Sequence, residues 1–130
     1  MKRTRKDLKL STETVDDFFK RSRERACKLD KGGKLPAEIR VTFEDPADLV
    51  RVLSAERVRV LHTVRTKTTK STPISSLATI LKRDRKAVSR DVKVLESFGL
   101  LKTREQLNPG HGIMKVVEPL AEKYYLTATI

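Results

Sequence analysis

The stretch that decides the fold reads Ile74-Ser75-Ser76-Leu77-Ala78-Thr79-Ile80-Leu81, Lys82-Arg83, Asp84-Arg85-Lys86-Ala87-Val88-Ser89-Arg90-Asp91-Val92-Lys93-Val94-Leu95-Glu96-Ser97-Phe98, Gly99. Ser75 or Ser76 starts a short helix that carries Leu77, Ala78, Ile80 and Leu81. Lys82-Arg83 is a tight break. Asp84 then caps a longer helix running to about Phe98, with Gly99 as its stop. Projected from Arg85 at about 100° per residue, Ser89, Lys93, Lys86, Ser97 and Arg90 all fall within about 140° of one another. Val94, Ala87, Leu95, Val88 and Val92 fill the opposite arc. Asp91 interrupts that apolar arc and calls for an arginine from a neighbouring element. A helix with one apolar face and four cations and two hydroxyls on the other suits a DNA major groove. There Arg and Lys donate to guanine or phosphate, and Ser serves either.

Working outward, Ser54 caps a preceding helix with Val58, Leu61 and Val64 on one face. A polar loop, Lys67 to Thr72, is closed by Pro73. Downstream, Thr103–Leu107 and Ile113–Val117 flank Asn108-Pro109-Gly110-His111. Proline fixes the first central φ of a type II turn and glycine supplies the positive second one, so this is a β-hairpin. Three helices, the last two split by a tight break, followed by a hairpin, predict a winged helix-turn-helix.

The flanks add a helix and two strands. Ser11 or Thr12 reads as an N-cap, with Glu13, Asp16 and Asp17 in the first turns of a helix. Val15, Phe18, Phe19, Ser22, Ala26 and Leu29 form one apolar stripe flanked by Arg and Lys, and Lys31-Gly32-Gly33 ends it. This stripe faces its own domain, a second protomer or a toxin. Ile39, Val41 and Phe43 alternate as a strand, Asp45-Pro46-Ala47-Asp48 opens a short helix, and Tyr124 to Ile130 alternate as a terminal strand. Neither strand has a hairpin partner nearby, so they are expected to pair with each other, within one chain or across a dimer. The expected fold is α+β, mostly α: residues 1–37 as basic arm and amphipathic helix, residues 38–130 as the winged helix-turn-helix domain.

Composition narrows the function. The chain has 130 residues, with 29 Lys+Arg against 17 Asp+Glu and a net charge of +12, which points to a polyanion. The charge is partitioned: +6 over residues 1–37, −2 over 38–55, +8 over 56–107 and zero over 108–130. Aromatic residues make up only 5%, with no Trp. Readers of single-stranded bases need aromatic platforms, so duplex grooves are preferred. Structured RNA, or association with the ribosome, is the alternative. The single Cys27 excludes an intramolecular disulfide and reads as a buried or half-exposed structural thiol rather than a redox switch. His62 and His111 are too few for a structural zinc site, and no cofactor or metal is expected. No acidic cluster, histidine pair or nucleophile–base spacing points to an enzyme. The basic start lacks the apolar segment of a signal peptide, and no run reaches membrane-spanning length, so a cytoplasmic protein is expected.

The strings Ile74-Ser75-Ser76-Leu77-Ala78, Val88-Ser89-Arg90-Asp91-Val92-Lys93-Val94-Leu95-Glu96 and Gly99-Leu100-Leu101 resemble the winged-helix core of MarR- and ArsR-type transcription regulators. Within that superfamily the chain is most similar to a small prokaryotic group of MarR-like DNA-binding proteins. The markers are Phe43-Glu44-Asp45-Pro46, Leu53, Arg83-Asp84-Arg85, Ser89-Arg90-Asp91-Val92-Lys93 and the terminal strand. The similarity covers residues 38 to 130 and, more loosely, the N-terminal helix. Members of this group are similar to antitoxins encoded beside TumE-type toxins, which implies a repressor that autoregulates its gene and neutralises a toxin partner. The metal-thiolate motif of ArsR-type sensors is absent.

The candidate DNA-binding set follows from both readings. Arg85, Lys86, Ser89 and Arg90 occupy the first two turns, where recognition helices meet base edges, and Lys93 one turn on meets phosphate. Ser75, Ser76 and Arg83 precede them. The resemblance implies that the wing, with Arg104, Asn108, His111 and Lys115, touches the backbone or the adjacent minor groove. The arm Lys2, Arg3, Arg5 and Lys6 resembles minor-groove arms and reads equally as a solvated terminus. Operator palindromy implies a homodimer on double-stranded DNA.

Overall fold

Leu8 and Leu10, two positions apart between polar neighbours, belong to a strand and not to the prelude to a helix. In the computed structural model, which describes residues 7–33, 38–66 and 71–130, strand β1 spans Asp7–Thr12 and both leucines are fully buried. The arm residues Lys2, Arg3, Arg5 and Lys6 lie outside the described residues. Ser11 and Thr12, expected as helix caps, are strand residues instead. Helix α1 (Val15–Asp30) is capped by Thr14, whose Oγ1 accepts from the Asp17 N–H at 3.1 Å.

Strands β2 (Glu38–Phe43) and β6 (Lys123–Thr127) do not pair with each other. Each pairs in parallel with β1, giving the order β2-β1-β6. The register matches Leu8 with Ile39 and Tyr124, and Leu10 with Val41 and Leu126. One sheet face is therefore apolar and the other carries Lys9, Ser11, Arg40 and Tyr125. Parallel neighbours need a crossover, and α1 supplies it between β1 and β2. The expected pairing failed because β1 offers only two apolar residues inside a charged stretch, too few to register as an alternation. Helix α2 (Pro46–Val52) follows as expected, with Asp45 Oδ1 accepting from the Ala47 N–H at 2.9 Å.

The chain divides into two compact units, one formed by residues up to Arg51 with Lys123–Ile130, the other by Val52–Glu122. This departs from a division at 37/38. The three parallel strands tie residues 38–51 and the C-terminal strand to the N-terminal segment.

The second unit begins with α3 (Ala55–Thr66), where the Arg57 N–H donates to Ser54 Oγ at 3.3 Å. Its buried Val60, Leu61 and Val64 share the core with Ile74, Leu77, Ala78 and Leu81 of α4 (Ile74–Leu81) and Val88, Val92 and Leu95 of α5 (Arg85–Ser97). Helix α4 starts before Ser75, with Pro73 at the cap position. Thr72–Pro73 itself forms a two-residue strand, β3, too short for any sequence periodicity to announce.

The break between α4 and α5 is a Schellman motif: the Arg83 N–H donates to Ala78 O and the Lys82 N–H to Thr79 O. Lys82 holds the left-handed position at φ 54°, ψ 45°. Gly99, at φ +77°, closes α5 in the same way. Strands β4 (Leu101–Asn108) and β5 (Gly112–Pro119) form the hairpin, in a sheet ordered β3-β5-β4. Its turn has the expected form, with the His111 N–H donating to Asn108 O at 2.8 Å and Gly110 at φ +81°. Five helices and six strands among the described residues make a mixed α and β protein.

Candidate nucleic-acid interface

Burial of Val88, Val92 and Leu95 fixes the rotation of α5 and turns its other arc outward. Arg85, Lys86, Arg90 and Lys93 are all exposed, and Ser89 is half-buried beside them. Among the described residues none of these four cations has an ion-pair partner. Two of them, Arg85 and Lys86, sit in the first turn, which contains no acidic residue. Cations there oppose the positive end of the helix dipole, and Asp84 at the cap position makes no side-chain bond to relieve it. The arrangement disfavours folding slightly and favours a polyanion.

Arg83 is placed differently from the other predicted cations. Its Nη1 lies 2.7 Å from Asp91 Oδ2 and its Nε 3.4 Å from Glu56 Oε2. Arg57 of α3 reaches the other Asp91 oxygen at 3.3 Å and donates from Nη1 to Val52 O at 3.3 Å. Asp91 is therefore the joint of a half-buried network linking α3, the α4–α5 break and α5. Sequence periodicity exposed the need for a partner to Asp91 but not its identity, since Arg57 lies 34 residues upstream.

On α4, Ser75 is exposed and Ser76 half-buried. The Ser75 carbonyl already accepts from Thr79 Oγ1 at 3.1 Å. In the hairpin, Arg104 is taken up by Glu118 at 2.7 Å across the strands and approaches Ser71 Oγ at 3.5 Å. Lys115 is exposed opposite Glu105 in the register, His111 is exposed on the turn, and Asn108 is half-buried with its carbonyl closing the turn. The hairpin is anchored to α5 by Glu96, whose Oε2 accepts from the Thr103 N–H at 2.8 Å and from the Thr103 hydroxyl.

Two features of this surface were missed in the sequence. Lys82 is exposed and held in left-handed geometry immediately before α5. Leu107 and Ile113, directly opposite each other near the hairpin tip, are 76% and 64% exposed. Alternation alone assigned them to strands and could not say that the sheet face beneath them runs out of cover.

Elsewhere, Cys27 is exposed on α1, not buried or half-buried. His62 is exposed on α3. Among the described residues no group of His, Cys, Asp and Glu is arranged to hold a metal ion, and no helix is long and apolar enough to cross a membrane.

Comparison with solved structures finds a likeness of fold to a chain described as a "possible transcriptional regulator" from Methanosarcina mazei Go1, with a TM-score of 0.51 and 22% identity. The match covers 61% of this chain and spans 66% of that one. A search of curated proteins finds no significant match to the sequence. The profile of the HVO_A0114 family matches residues 52–116, half of the chain, from the end of α2 into β5. The protein belongs to the HVO_A0114 family.

Proposed function

We propose that the protein is a sequence-specific, double-stranded DNA-binding transcriptional regulator, with residues 52–122 acting as a winged helix-turn-helix. The single observation that carries this reading is the outward arc of α5: four exposed cations without ion partners among the described residues, on a helix whose rotation is fixed by its buried face. Helix α5 enters the major groove, with Arg85, Lys86, Ser89 and Arg90 at base edges and Lys93 at phosphate. The hairpin serves as the wing, with His111 and Lys115 toward the backbone. Arg83 acts beneath this surface, holding Asp91. The fold likeness to a chain described as a regulator supports the same reading, as does the sequence resemblance to MarR-like proteins.

In its finer form the protein is a cytoplasmic, homodimeric repressor, and an antitoxin that autoregulates its own gene and binds a small toxin. It is a binding protein and not a catalyst. The test is titration of a labelled fragment of its own promoter region against random duplex of equal length, at several salt concentrations, with tRNA as a competitor. Preference for the promoter fragment, with a log–log salt slope set by the phosphates contacted, is the expected result. Equal affinity for both duplexes overturns sequence readout. Displacement by tRNA at lower concentration than by random duplex moves the assignment to structured RNA. The antitoxin role is checked by co-expression with the neighbouring small open reading frame and recovery of a stable complex.

A further inference from the structure

The β4–β5 hairpin carries apolar side chains past the end of the core. Leu101, Thr103, Glu105 and Leu107 of β4 share one face with Pro119, Val117, Lys115 and Ile113 of β5. At its base this face is core: Leu101 and Val117 are buried, and Thr103 is bonded to Glu96 of α5. Further out come Glu105 and Lys115, both exposed, and then Leu107 and Ile113, 76% and 64% exposed. At about 3.3 Å per residue, Leu107 stands roughly 13 Å beyond Thr103. A single exposed leucine is ordinary on a surface. Here two branched side chains face each other across the strands of a projecting tip, and both are left in water.

The surroundings of the pair say what covers it. The run from Gln106 to Met114 holds no acidic residue, in a chain with 17 Asp+Glu. The opposite face of the tip offers the amides of Gln106 and Asn108. Gly110 and Gly112, at φ +81° and +83°, have open space where a side chain would stand, which keeps the tip slim. The hairpin also springs from the margin of the cationic arc of α5. Projected from Arg85, Glu96 falls at about 20°, between Arg85 and Ser89. The carboxylate that anchors Thr103 therefore stands at the edge of the arc that carries Arg85, Lys86, Arg90 and Lys93. A second copy or another protein needs about 800 Å² from each side for a stable interface. The apolar patch ends at Glu105 and Lys115 on one side and at the turn on the other, so it offers two side chains and no more. A slim apolar wedge between amides and cations is instead what a duplex groove accepts.

We infer that Leu107 and Ile113 form a wedge that enters the minor groove beside the major groove held by α5, and partly unstacks one base step there. Gln106 and Asn108 donate amide N–H groups to the N3 and O2 acceptors that line this groove. The step is a pyrimidine–purine step, which unstacks most easily. The wedge thereby adds sequence preference at base pairs that α5 does not touch. The duplex kinks toward its major groove, which folds more of the backbone around the cations of α5. The inference rests on the DNA-binding reading above and adds to it the deformation of the duplex.

The experiment uses the full chain and a duplex of its own promoter region, with donor and acceptor dyes at the two ends and 2-aminopurine placed in turn along the site. Binding of the parent chain raises energy transfer between the ends and brightens 2-aminopurine at one step. Leu107→Thr with Ile113→Thr keeps strand propensity and an unchanged circular dichroism spectrum. It abolishes the bend and the brightening and weakens promoter binding about tenfold, with the salt slope unchanged because no phosphate contact is lost. Leu107→Met with Ile113→Met retains the bend. A mismatch at the brightened step tightens binding of the parent, since unpairing there is already easy, and does not tighten binding of the threonine variant. Promoter binding without bend or brightening, or an equal bend by the threonine variant, overturns the wedge and leaves the DNA reading standing. A parent chain that binds no duplex removes both. A fall in the mass of the free chain on the two threonine changes, read by light scattering, shows that the pair joins two copies and overturns the wedge.

Discussion

Arg83 and Asp91, eight residues apart across the α4–α5 break, meet at 2.7 Å, and the second oxygen of the same carboxylate takes Arg57 at 3.3 Å. One acid thus holds two arginines, from α3 and from the break, on the inner side of the helix that carries the exposed cations. Its side chain is 13% exposed, so each bond is shielded from water more than a surface pair.

Replacing Asp91 with alanine removes the carboxylate that two half-buried guanidinium groups share and leaves Arg83 its longer contact to Glu56. The expected loss is about 1–3 kcal/mol of unfolding free energy. Urea denaturation read by circular dichroism checks it, and Asp91→Asn should recover only part of the loss. DNA affinity in this variant falls alike for promoter and random duplex, because α5 is displaced and not rewritten.

The exposed arginines of α5 should behave in the opposite way. Arg85→Ala and Arg90→Ala leave the unfolding midpoint nearly unchanged but cost about 1–3 kcal/mol of discrimination between promoter and random duplex, if each is bidentate to a base. Lys93→Ala lowers affinity for both duplexes and flattens the salt slope by about one unit. Fluorescence anisotropy titrations at three salt concentrations separate the two patterns.

Lys82 is the one non-glycine residue at positive φ among the described residues. A β-branched replacement clashes in that conformation, so Lys82→Val should cost about 1–2 kcal/mol of stability, while Lys82→Gly is tolerated. Thermal unfolding of the two variants side by side is sufficient. A Lys82→Val protein as stable as the parent shows that the break can adopt another geometry.

Acid should destabilise the parallel sheet and α1 first. The bidentate Arg21 guanidinium holds the Glu13 carboxyl below its ordinary value near 4.5, outweighing partial burial. Burial pushes Glu38 up, but hydrogen bonds from Lys9 and Arg40 override it and leave the carboxyl below its ordinary value. In both cases the unfolded chain binds protons more readily than the folded one. The stabilisation is complete above the unfolded value and is lost as pH falls through the depressed folded values. Unfolding measured from pH 7 to pH 3 should show stability dropping below about pH 4.5. Glu13→Gln should be less stable than the parent at pH 7 and converge with it at the acid end.

The legible parts of this protein were those settled within a few turns of chain. The rotation of α5 followed from Val88, Val92 and Leu95 at helical spacing, and the type II turn from Pro109-Gly110, because each is a local steric or periodic constraint. The candidate cations on α5 could be named for the same reason. Arg83 could not be told apart from Arg85 or Arg90 in this way. Its role depends on Asp91 being within reach, and reach is a property of three packed helices.

The sequence by itself determined the helices of the second unit to within a residue or two, the cap at Ser54, the break at Lys82-Arg83 and the hairpin. Only the tertiary structure decided that Leu8 and Leu10 form the central strand between β2 and β6. The two outer strands are more than 80 residues apart in sequence, and their alternation carries no mark of which backbone they pair with. It also decided that α1 buries none of its apolar stripe and is tied back at Arg21 to Glu13, the residue after β1. A hydrophobic stripe announces that a helix can bury one face, but whether its own chain covers that face depends on packing between segments distant in sequence.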